Sequence, residues 1–369
     1  MYLGQLLEGL GQEEEVATVC FADADDPPAP TDIRSFRLPR FRRAELGRLR
    51  VLLDQMRYAF GWGIRGLPLE VAKHRSGAFR QLLRRAVEEF NPDVAMVEFA
   101  VMAQYLPDLG SVKTVFTDHE HGESLPPRIG PGQAGRNRDR RLWQSYIRHY
   151  LAMADLCQAL TSEDAARLEE LTGRPVVVRP PLVELPTRPV SPEATGQIML
   201  FLGDYRHHPN PEAAAVIARD VLPAVREQFP DAELWLAGPR SEGRVDTLVQ
   251  YPGVHLLGYV EDLAGLMAKA RFLVAPVFSG SGVRIKVLTA MAHGLPVVSN
   301  GLGMQGVPAP AEAYRSGETP AELARACEVF LRDPAKAASA GQSARSFVKR
   351  HMDRRSLVEQ QLGRIRSIL

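Results

Sequence analysis

Residues 275–300 read APVFSGSGVRIKVLTAMAHGLPVVSN, a pattern that predicts a strand, a glycine loop, a helix, a turn and a second strand. The apolar run 272–276 is typical of a buried strand. Gly280 and Gly282 form the loop, and Gly294 is a favourable C-terminal cap for the helix. Because strands alternate with helices along the rest of the chain as well, the sequence predicts an α/β protein with parallel sheets and right-handed crossovers.

The apolar positions of this predicted helix begin at Val283, and its first turn carries two cations, Arg284 and Lys286. A helix start offers unpaired backbone N–H groups and the positive end of the helix dipole, so each cation there is unfavourable by about 0.3–1 kcal/mol. We therefore expect a doubly negative ligand at this point, with a diphosphate as the leading candidate. The alternative is that Gly280 and Gly282 only form a tight turn and that both cations are solvated.

Length, charge and cysteine content limit the class of protein. The 369 residues allow two ordinary domains, and a net charge of +1 gives no general attraction to nucleic acid. No apolar run has the length of a membrane span and no secretory leader is recognisable. The three cysteines, Cys20, Cys157 and Cys327, are far apart without metal-ligand spacing, which favours reduced thiols. We expect a cytoplasmic protein.

Prolines between residues 180 and 192 mark a boundary, because this span can be neither a helix nor a central strand. The sequence predicts a first domain over 1–185, a linker over 186–197, a second domain over 198–353 and a final helix over 354–369. The first domain opens on an amphipathic helix that ends at Gly11. We expect either that this domain lacks its first strand or that the chain begins late.

A basic stretch occupies residues 34–57. It contains eight arginines and only two acidic residues, and its apolar residues recur at helical spacing. One interpretation is peripheral contact with the inner face of an anionic membrane, or with a phosphorylated acceptor. The other, which the pattern favours, is a solvated helix face.

The densest group of titratable residues follows the predicted strand 113–117. Asp118, His119 and His121 lie there, and Glu98 ends the preceding strand. Polar groups just beyond parallel strands are where such sheets bind ligands. A metal site is conceivable, but no third ligand has a recognisable spacing. A histidine that acts on a substrate hydroxyl, or a structural histidine, agrees better with the pattern.

A second glycine motif, G-x-G-x-x-G, spans residues 301–306. A dinucleotide fingerprint must open a helix, and the prolines in 307–310 oppose one. The motif also comes late in its domain. We therefore interpret it as a loop whose glycines let the backbone approach a bound sugar.

The second half resembles the nucleotide-sugar domain of glycosyltransferase family 4. The resemblance rests on motifs in the family's order at 201–203, 207–210, 257–262, 276, 280–286, 290–292, 294–298 and 301–303. The first half is similar more loosely, through Glu98, His119 and residues 154–164. The resemblance implies the GT-B fold, with two Rossmann-like parallel-sheet domains that face a central cleft. It also implies that the last helix crosses back onto the first domain.

The resemblance also implies roles for individual residues, with a nucleotide sugar as donor and neither a metal nor another cofactor. The diphosphate group comprises Gly282, Val283, Arg284 and Lys286, and the nucleoside and ribose group comprises Tyr259, Val260, Asp262 and Thr289. The donor sugar and the cleft are assigned to Gly203, His207, Asn210, Gly301 and Gly303. His119 and Asp118 fall beside the transferred sugar as catalytic candidates, and Glu98 falls on the acceptor side.

The implied activity is transfer of a sugar, with retention, to a glycan, lipid or small-molecule acceptor in bacterial surface polysaccharide or glycoconjugate synthesis. Two positions depart from the family, because Ser281 and Thr289 stand where it usually has glutamates. A hydroxyl replaces a charge at the ribose position. A non-catalytic GT-B protein that binds a sugar nucleotide or a partner is therefore the main alternative, and a sugar-nucleotide epimerase is the third.

Overall fold

A computed structural model describes residues 2–22, 33–39, 48–119, 132–239, 243–280 and 282–369 of the chain. Two compact units divide it: the first comprises Leu3–Pro180 together with Arg355–Leu369, and the second comprises Pro181–Arg354. The division comes before residue 185, and the predicted linker 186–197 forms part of the second unit. The last helix belongs to the first unit.

The first unit contains two parallel sheets in its described part. Strands β1 and β2 pair with each other, and β3, β4, β5 and β6 form a four-stranded sheet in that order. The strands are β1 (Ala17–Ala22), β2 (Arg34–Pro39), β3 (Val94–Glu98), β4 (Lys113–Asp118), β5 (Leu156–Ala159) and β6 (Val177–Val178). The α-helices are α1 (Tyr2–Gly11), α2 (Arg48–Gly63), α3 (Leu69–Lys73), α4 (Gly77–Phe90), α5 (Gly132–Leu151), α6 (Ser162–Thr172) and α14 (Arg354–Arg366), and a 3₁₀ helix spans Ala100–Leu109.

Apolar side chains from β4, β5, α5 and the 3₁₀ helix form the core of this unit. Phe116 of β4 and Leu151 of α5 are completely buried, and Trp143 of α5 is almost so. Two helices begin at hydroxyl caps: Ser76 accepts a hydrogen bond from the Phe79 N–H at the start of α4, and Thr161 accepts one from Asp164 at the start of α6.

The second unit has a six-stranded parallel sheet in the order β12-β11-β10-β7-β8-β9. Its strands are β7 (Ile198–Leu202), β8 (Glu233–Ala237), β9 (Val254–Gly258), β10 (Phe272–Val274), β11 (Val297–Ser299) and β12 (Tyr314–Ser316). The α-helices are α7 (Pro209–Val216), α8 (Leu222–Arg226), α9 (Leu263–Met267), α10 (Ile285–His293), α11 (Gly301–Met304), α12 (Pro320–Arg332) and α13 (Pro334–His351), with a π-helical turn, Ile217–Val221, between α7 and α8.

This strand order reverses direction between β7, the first strand of the unit, and β10, the fourth. Leu200 of β7 pairs directly with Leu273 of β10. The helices that follow these two strands lead away in opposite directions, so the loops after the strands separate at this point. Open α/β sheets bind ligands at the carboxyl ends of strands beside such a switch point. The loops after β7 and β10 are therefore where the architecture favours a ligand.

The structure corrects the sequence prediction at three places. The basic stretch 34–57 contains strand β2 as well as part of helix α2, and its residues 40–47 lie outside the described part. The glycine motif at 301–306 does open a helix, the single turn α11, because the Asn300 side chain caps it by accepting from the Gly303 N–H. The third concerns the helix start at Arg284, described below.

Within the described residues, no helix combines the length and the apolar character needed to cross a bilayer.

Candidate functional site

The loop after β10 brings two glycines and two cations to the switch point. Gly280 and Gly282 have φ values of 95° and 83°, which favour glycine, and Ser281 between them lies outside the described residues. Arg284 precedes the helix, with φ −84° and ψ 83°, and its Nη2 donates to the Gly280 carbonyl at 3.2 Å. Arg284 and Val283 were predicted inside the helix, but α10 begins only at Ile285.

Lys286 lies in the first turn of α10 and points towards the loop after β7. Its Nζ donates to Asn210 Oδ1 at 2.8 Å and lies 4.2 Å from the centre of the Phe201 ring. No carboxylate among the described residues forms an ion pair with it. Burial, reinforced by the positive charge of Arg284, lowers the pKa of Lys286 to about 7. The side chain is therefore a buried amine that gains its charge easily when an anion arrives.

Asn210 lies in the first turn of α7 and is held in place by the loop that precedes this helix. Its Nδ2 donates to the Asp204 carbonyl at 2.9 Å, which leaves Oδ1 directed at Lys286. Gly203 makes this possible, because a Cβ at that position would lie 2.8 Å from Asn210 Cγ. Gly203 and Asn210 were predicted to contact the donor sugar. The structure brings them to the predicted diphosphate residues, whereas the predicted His207 is exposed on the same loop.

The predicted nucleoside residues follow β9 or lie on α10. Tyr259 is exposed and Val260 is half-buried. The Asp262 carboxylate caps α9 by accepting from the Gly265 N–H at 2.8 Å. The Thr289 hydroxyl donates to the Ile285 carbonyl at 2.8 Å. Its oxygen can still accept a hydrogen bond from a ribose hydroxyl, but its proton is already engaged.

The two glycines after β11 that were predicted to approach the donor sugar differ in their exposure. The Gly301 N–H is exposed and donates to Glu318 Oε1 at 2.8 Å. Gly303 is buried, and a Cβ there would lie 2.1 Å from Ser299 Oγ. Gly301 can therefore approach a ligand, while Gly303 is required for packing beneath α11.

The first unit has a separate polar cluster at the ends of its strands. Glu98 ends β3, His119 follows β4, and Arg179 follows β6. His119 Nε2 lies 2.5 Å from Glu98 Oε2, and Arg179 Nη2 donates to the same oxygen at 2.8 Å and to Oε1 at 3.1 Å. Asp118, the last residue of β4, is buried beside His119. The structure thus brings together Glu98 and His119 as the sequence predicted, and adds Arg179.

Sequence reasoning missed Arg179 and Phe201, both of which contact predicted site residues. Arg179 is buried directly after the two-residue strand β6, and no motif marks it. The one feature of the sequence that could have indicated Arg179 is that an arginine, followed by proline, stands at the end of a predicted strand. Phe201 was part of a quoted motif, but an aromatic residue in a strand is usually a core residue and its contact with Lys286 depends on the fold.

No group of three or more histidine, cysteine, aspartate or glutamate residues is arranged to hold a metal ion in the part of the chain that the structure describes. His121, the possible second ligand beside His119, lies outside that part.

Comparison with known proteins relates part of the second unit to a protein family. Residues 196–333 match the family model described as Glycosyl transferases group 1. Phosphatidyl-myo-inositol mannosyltransferase of Mycobacterium leprae (strain TN) is 34% identical to this chain over 113 residues. The same enzyme of Mycobacterium tuberculosis (strain CDC 1551 / Oshkosh) is 35% identical over 114 residues. Each match spans 29% of this chain and 29% of the curated relative.

Solved structures resemble the chain over nearly all its length. Sucrose-phosphate synthase from Thermosynechococcus elongatus has a TM-score of 0.73 at 19% identity and covers 100% of this chain, which spans 92% of that structure. Anabaena HepE in complex with UDP and glucose has a TM-score of 0.67 at 14% identity, and the match covers 99% of this chain and 95% of that structure. At these identities the likeness concerns the fold alone.

Proposed function

We propose that the chain transfers a sugar from a nucleotide sugar. The match of residues 196–333 to the group 1 glycosyl transferases and the GT-B fold of the two units support this proposal. Lys286, Arg284 and the N–H groups at the start of α10 bind the donor diphosphate. The observation that carries this proposal is the environment of Lys286, a cation at the switch point that contacts an amide and an aromatic ring and that, among the described residues, forms no ion pair with a carboxylate.

The chemistry of transfer explains why such a lysine is useful. As the glycosidic bond breaks, the diphosphate departs and negative charge grows on its oxygens. Donors fixed in advance at that position stabilise the transition state without reorganising. Arginine can hold two phosphate oxygens with its planar fork, and the buried lysine adds a point charge. We propose metal-free transfer of the family 4 kind, with retention of the anomeric configuration, as the resemblance of the sequence implies.

His119 is the catalytic candidate in the first unit, where it contacts a hydroxyl of the transferred sugar. Glu98 was expected on the acceptor side, but its two oxygens already accept from His119, Arg179 and Thr117. We therefore assign it to His119 and not to the acceptor. The proposed acceptor remains a glycan, a lipid or a small molecule, in bacterial surface polysaccharide or glycoconjugate synthesis.

The second candidate function is a GT-B protein that binds a sugar nucleotide without transfer. Thr289 favours it, since the hydroxyl proton is engaged with Ile285 and no carboxylate stands at the ribose position. An epimerase, the third reading, needs carboxylates near the sugar, and Glu318 beside Gly301 is the described carboxylate that could serve.

Calorimetric titration with UDP- and GDP-linked sugars, followed by assays of nucleotide release with acceptors, separates these functions. A transferase binds one donor class and releases the nucleoside diphosphate when acceptor is added. A binder gives the first result without the second, and an epimerase alters the sugar without releasing the nucleotide. Failure to bind any nucleotide sugar or nucleoside diphosphate contradicts the proposal.

Helix α2 supports the predicted peripheral membrane contact. Five large apolar side chains on this helix and just beyond it are 46–75% exposed: Leu52, Leu53, Met56, Phe60 and Ile64. Arg57 is also exposed, and the Arg65 guanidinium lies 5.3 Å from the centre of the Phe60 ring. An exposed apolar stripe with neighbouring arginines is suited to the interface of an anionic bilayer. We assign the inner face of the cell membrane as its partner.

Met56→Glu should reduce binding to vesicles that contain phosphatidylglycerol by about tenfold, because an apolar side chain that would enter the interface is replaced by a charge that anionic lipid repels. Co-sedimentation measures the effect, and vesicles of phosphatidylcholine alone should bind weakly in all cases. Val249→Glu, which changes an equally exposed apolar residue of the second unit, is the matched control. Equal binding of both variants would argue against α2 as the contact.

A further inference from the structure

The polar cluster at the strand ends of the first unit has an internal order. Glu98 lies between a histidine and an arginine, and both donate to it. His119 and Arg179 are 7% and 1% exposed, so both are removed from water. Buried charged groups are retained only when they are paired and hydrogen-bonded. The pairing in this cluster is complete for Glu98, whose Oε1 also accepts from the Thr117 hydroxyl at 3.3 Å.

The charge state of Glu98 follows from these contacts. Burial alone would raise the pKa of the carboxyl, but the Arg179 charge and the hydrogen bond from His119 outweigh it and lower the pKa. Glu98 is therefore an ionised carboxylate near neutral pH and can only accept hydrogen bonds. The proton of the Glu98–His119 bond must lie on His119 Nε2. When the imidazole is neutral, Nδ1 is then the acceptor atom of the ring.

The orientation of the His119 ring is fixed by a second contact. The Phe99 ring stacks on it with centroids 4.1 Å apart and an interplanar angle of 23°. Phe99 adopts a φ of 73°, a left-handed conformation that is uncommon for a non-glycine residue. Its N–H donates to the Thr117 carbonyl at 3.1 Å, which secures that conformation. One face and one edge of the imidazole are thus both held.

We propose that Glu98, held in place by Arg179, is a positioning residue that keeps His119 as the Nε2–H tautomer and fixes the orientation of its imidazole ring. The proposal rests on the function assigned above, which places His119 beside the transferred sugar. Glu98 itself does not touch the substrate. Arg179 fixes the carboxylate by two hydrogen bonds, and its charge lowers the pKa of Glu98, which keeps that group an acceptor only.

Two other charged groups lie near the Glu98–His119 pair. Asp118 is buried next to His119 in the chain, and Arg364 of α14 lies near Arg179. Burial and the charge of Arg179 together lower the pKa of Arg364, and its Nη2 donates to the Val178 carbonyl at 3.1 Å. A substitution at Glu98 leaves both of these residues unaltered in the sequence, so we use it to isolate the contribution of that carboxylate.

Glu98→Gln keeps the shape of the side chain and removes its charge. We expect kcat to fall about 10- to 100-fold, as for other residues that orient a functional histidine, while the KM for the donor changes less than about threefold. Thr117→Val removes only the longest contact to Glu98 and should change kcat by less than about twofold.

A spectroscopic measurement tests the same inference without activity and without a Glu98 variant. Long-range ¹H–¹⁵N correlation spectra report the tautomer of each of the nine histidines, and loss of one pattern in His119→Asn assigns it. We expect the Nε2–H pattern for His119 in the wild-type protein. An Nδ1–H pattern overturns the inference, as does a Glu98→Gln variant with unchanged kcat or with only KM altered. If no transfer activity exists at all, the proposed function fails and the spectrum still decides this inference.

Discussion

Replacing Lys286 by methionine should weaken the binding of a nucleoside diphosphate by about 10- to 100-fold near pH 6.5, since a hydrogen bond to a charged group contributes about 1.5–3 kcal/mol. Methionine keeps the apolar contact with Phe201 but removes the charge that meets the phosphate. The measurement is calorimetric titration with UDP and with GDP. Arg284→Ala should act in the same direction, because it removes the second cation of the loop.

Measurements of thermal stability distinguish a loss of diphosphate affinity in Lys286→Met from unfolding of the variant. In the unfolded chain a lysine holds its proton up to about pH 10.4, whereas burial in the fold lowers the pKa of Lys286 to about 7. The unfolded state therefore binds more protons between these values, and this group makes the free energy of unfolding rise with pH across that window. Lys286→Met should melt no lower than the wild type at pH 7. Lys269→Met, at an exposed lysine of the same unit, should leave affinity unchanged.

A wild-type affinity in Lys286→Met would remove Lys286 from the donor site, and a reduced affinity in Lys269→Met would show that the loss is not specific to the switch point.

Gly238→Ala should lower the free energy of unfolding of the second unit by about 3 kcal/mol or more, the sum of a steric overlap and a strained backbone. Gly238 follows β8 with a φ of 142°, and a Cβ there would lie 1.8 Å from the Gly203 carbonyl oxygen. Because Gly203 in turn packs against Asn210, the substitution should also displace the partner of Lys286. Thermal and urea unfolding measure the first effect, and diphosphate affinity measures the second.

Gly258→Ala is the matched control for this prediction. Gly258 ends β9 at the same edge of the sheet and also has a positive φ, 66°, but an added Cβ would meet no atom of the described residues within 4 Å. Gly258→Ala should lower the free energy of unfolding only by the backbone strain, about 1–2 kcal/mol. Equal losses in the two variants would mean that the close approach of Gly238 to Gly203 is not what stabilises these loops.

The sequence predicts those parts of the fold that depend on neighbouring residues. The order of strand, glycine loop, helix and strand around residues 275–300 follows from local hydrophobic pattern, and the structure has β10, α10 and β11 there. Gly294 ends α10 with a φ of 81°, and Asp262 caps α9, because capping is decided within one helical turn. The helix start was misjudged by two residues, since Arg284 continues the extended backbone of the loop.

Pairings between distant residues could not be predicted in the same way. Lys286 and Asn210 are 76 residues apart, and Arg179 and Glu98 are 81 apart. Lys286 and Asn210 meet because β7 lies beside β10. Arg179 and Glu98 meet because β3 and β6 are parallel strands of one sheet, so that their carboxyl ends lie at the same end of that sheet. The strand β2 was missed for a different reason: arginines in its sequence resemble a solvated surface, and its strand character depends on pairing with β1.

Proton uptake on diphosphate binding tests the central claim most directly. At about pH 8 Lys286 is mostly neutral in the free protein, and a bound diphosphate should raise its pKa, so that binding takes up about one proton per site. Titrating UDP and GDP in two buffers of different ionisation enthalpy measures that number. We predict uptake by the wild type and none by Lys286→Met. Binding without uptake, or equal uptake in both proteins, would contradict the assignment of the diphosphate to Lys286.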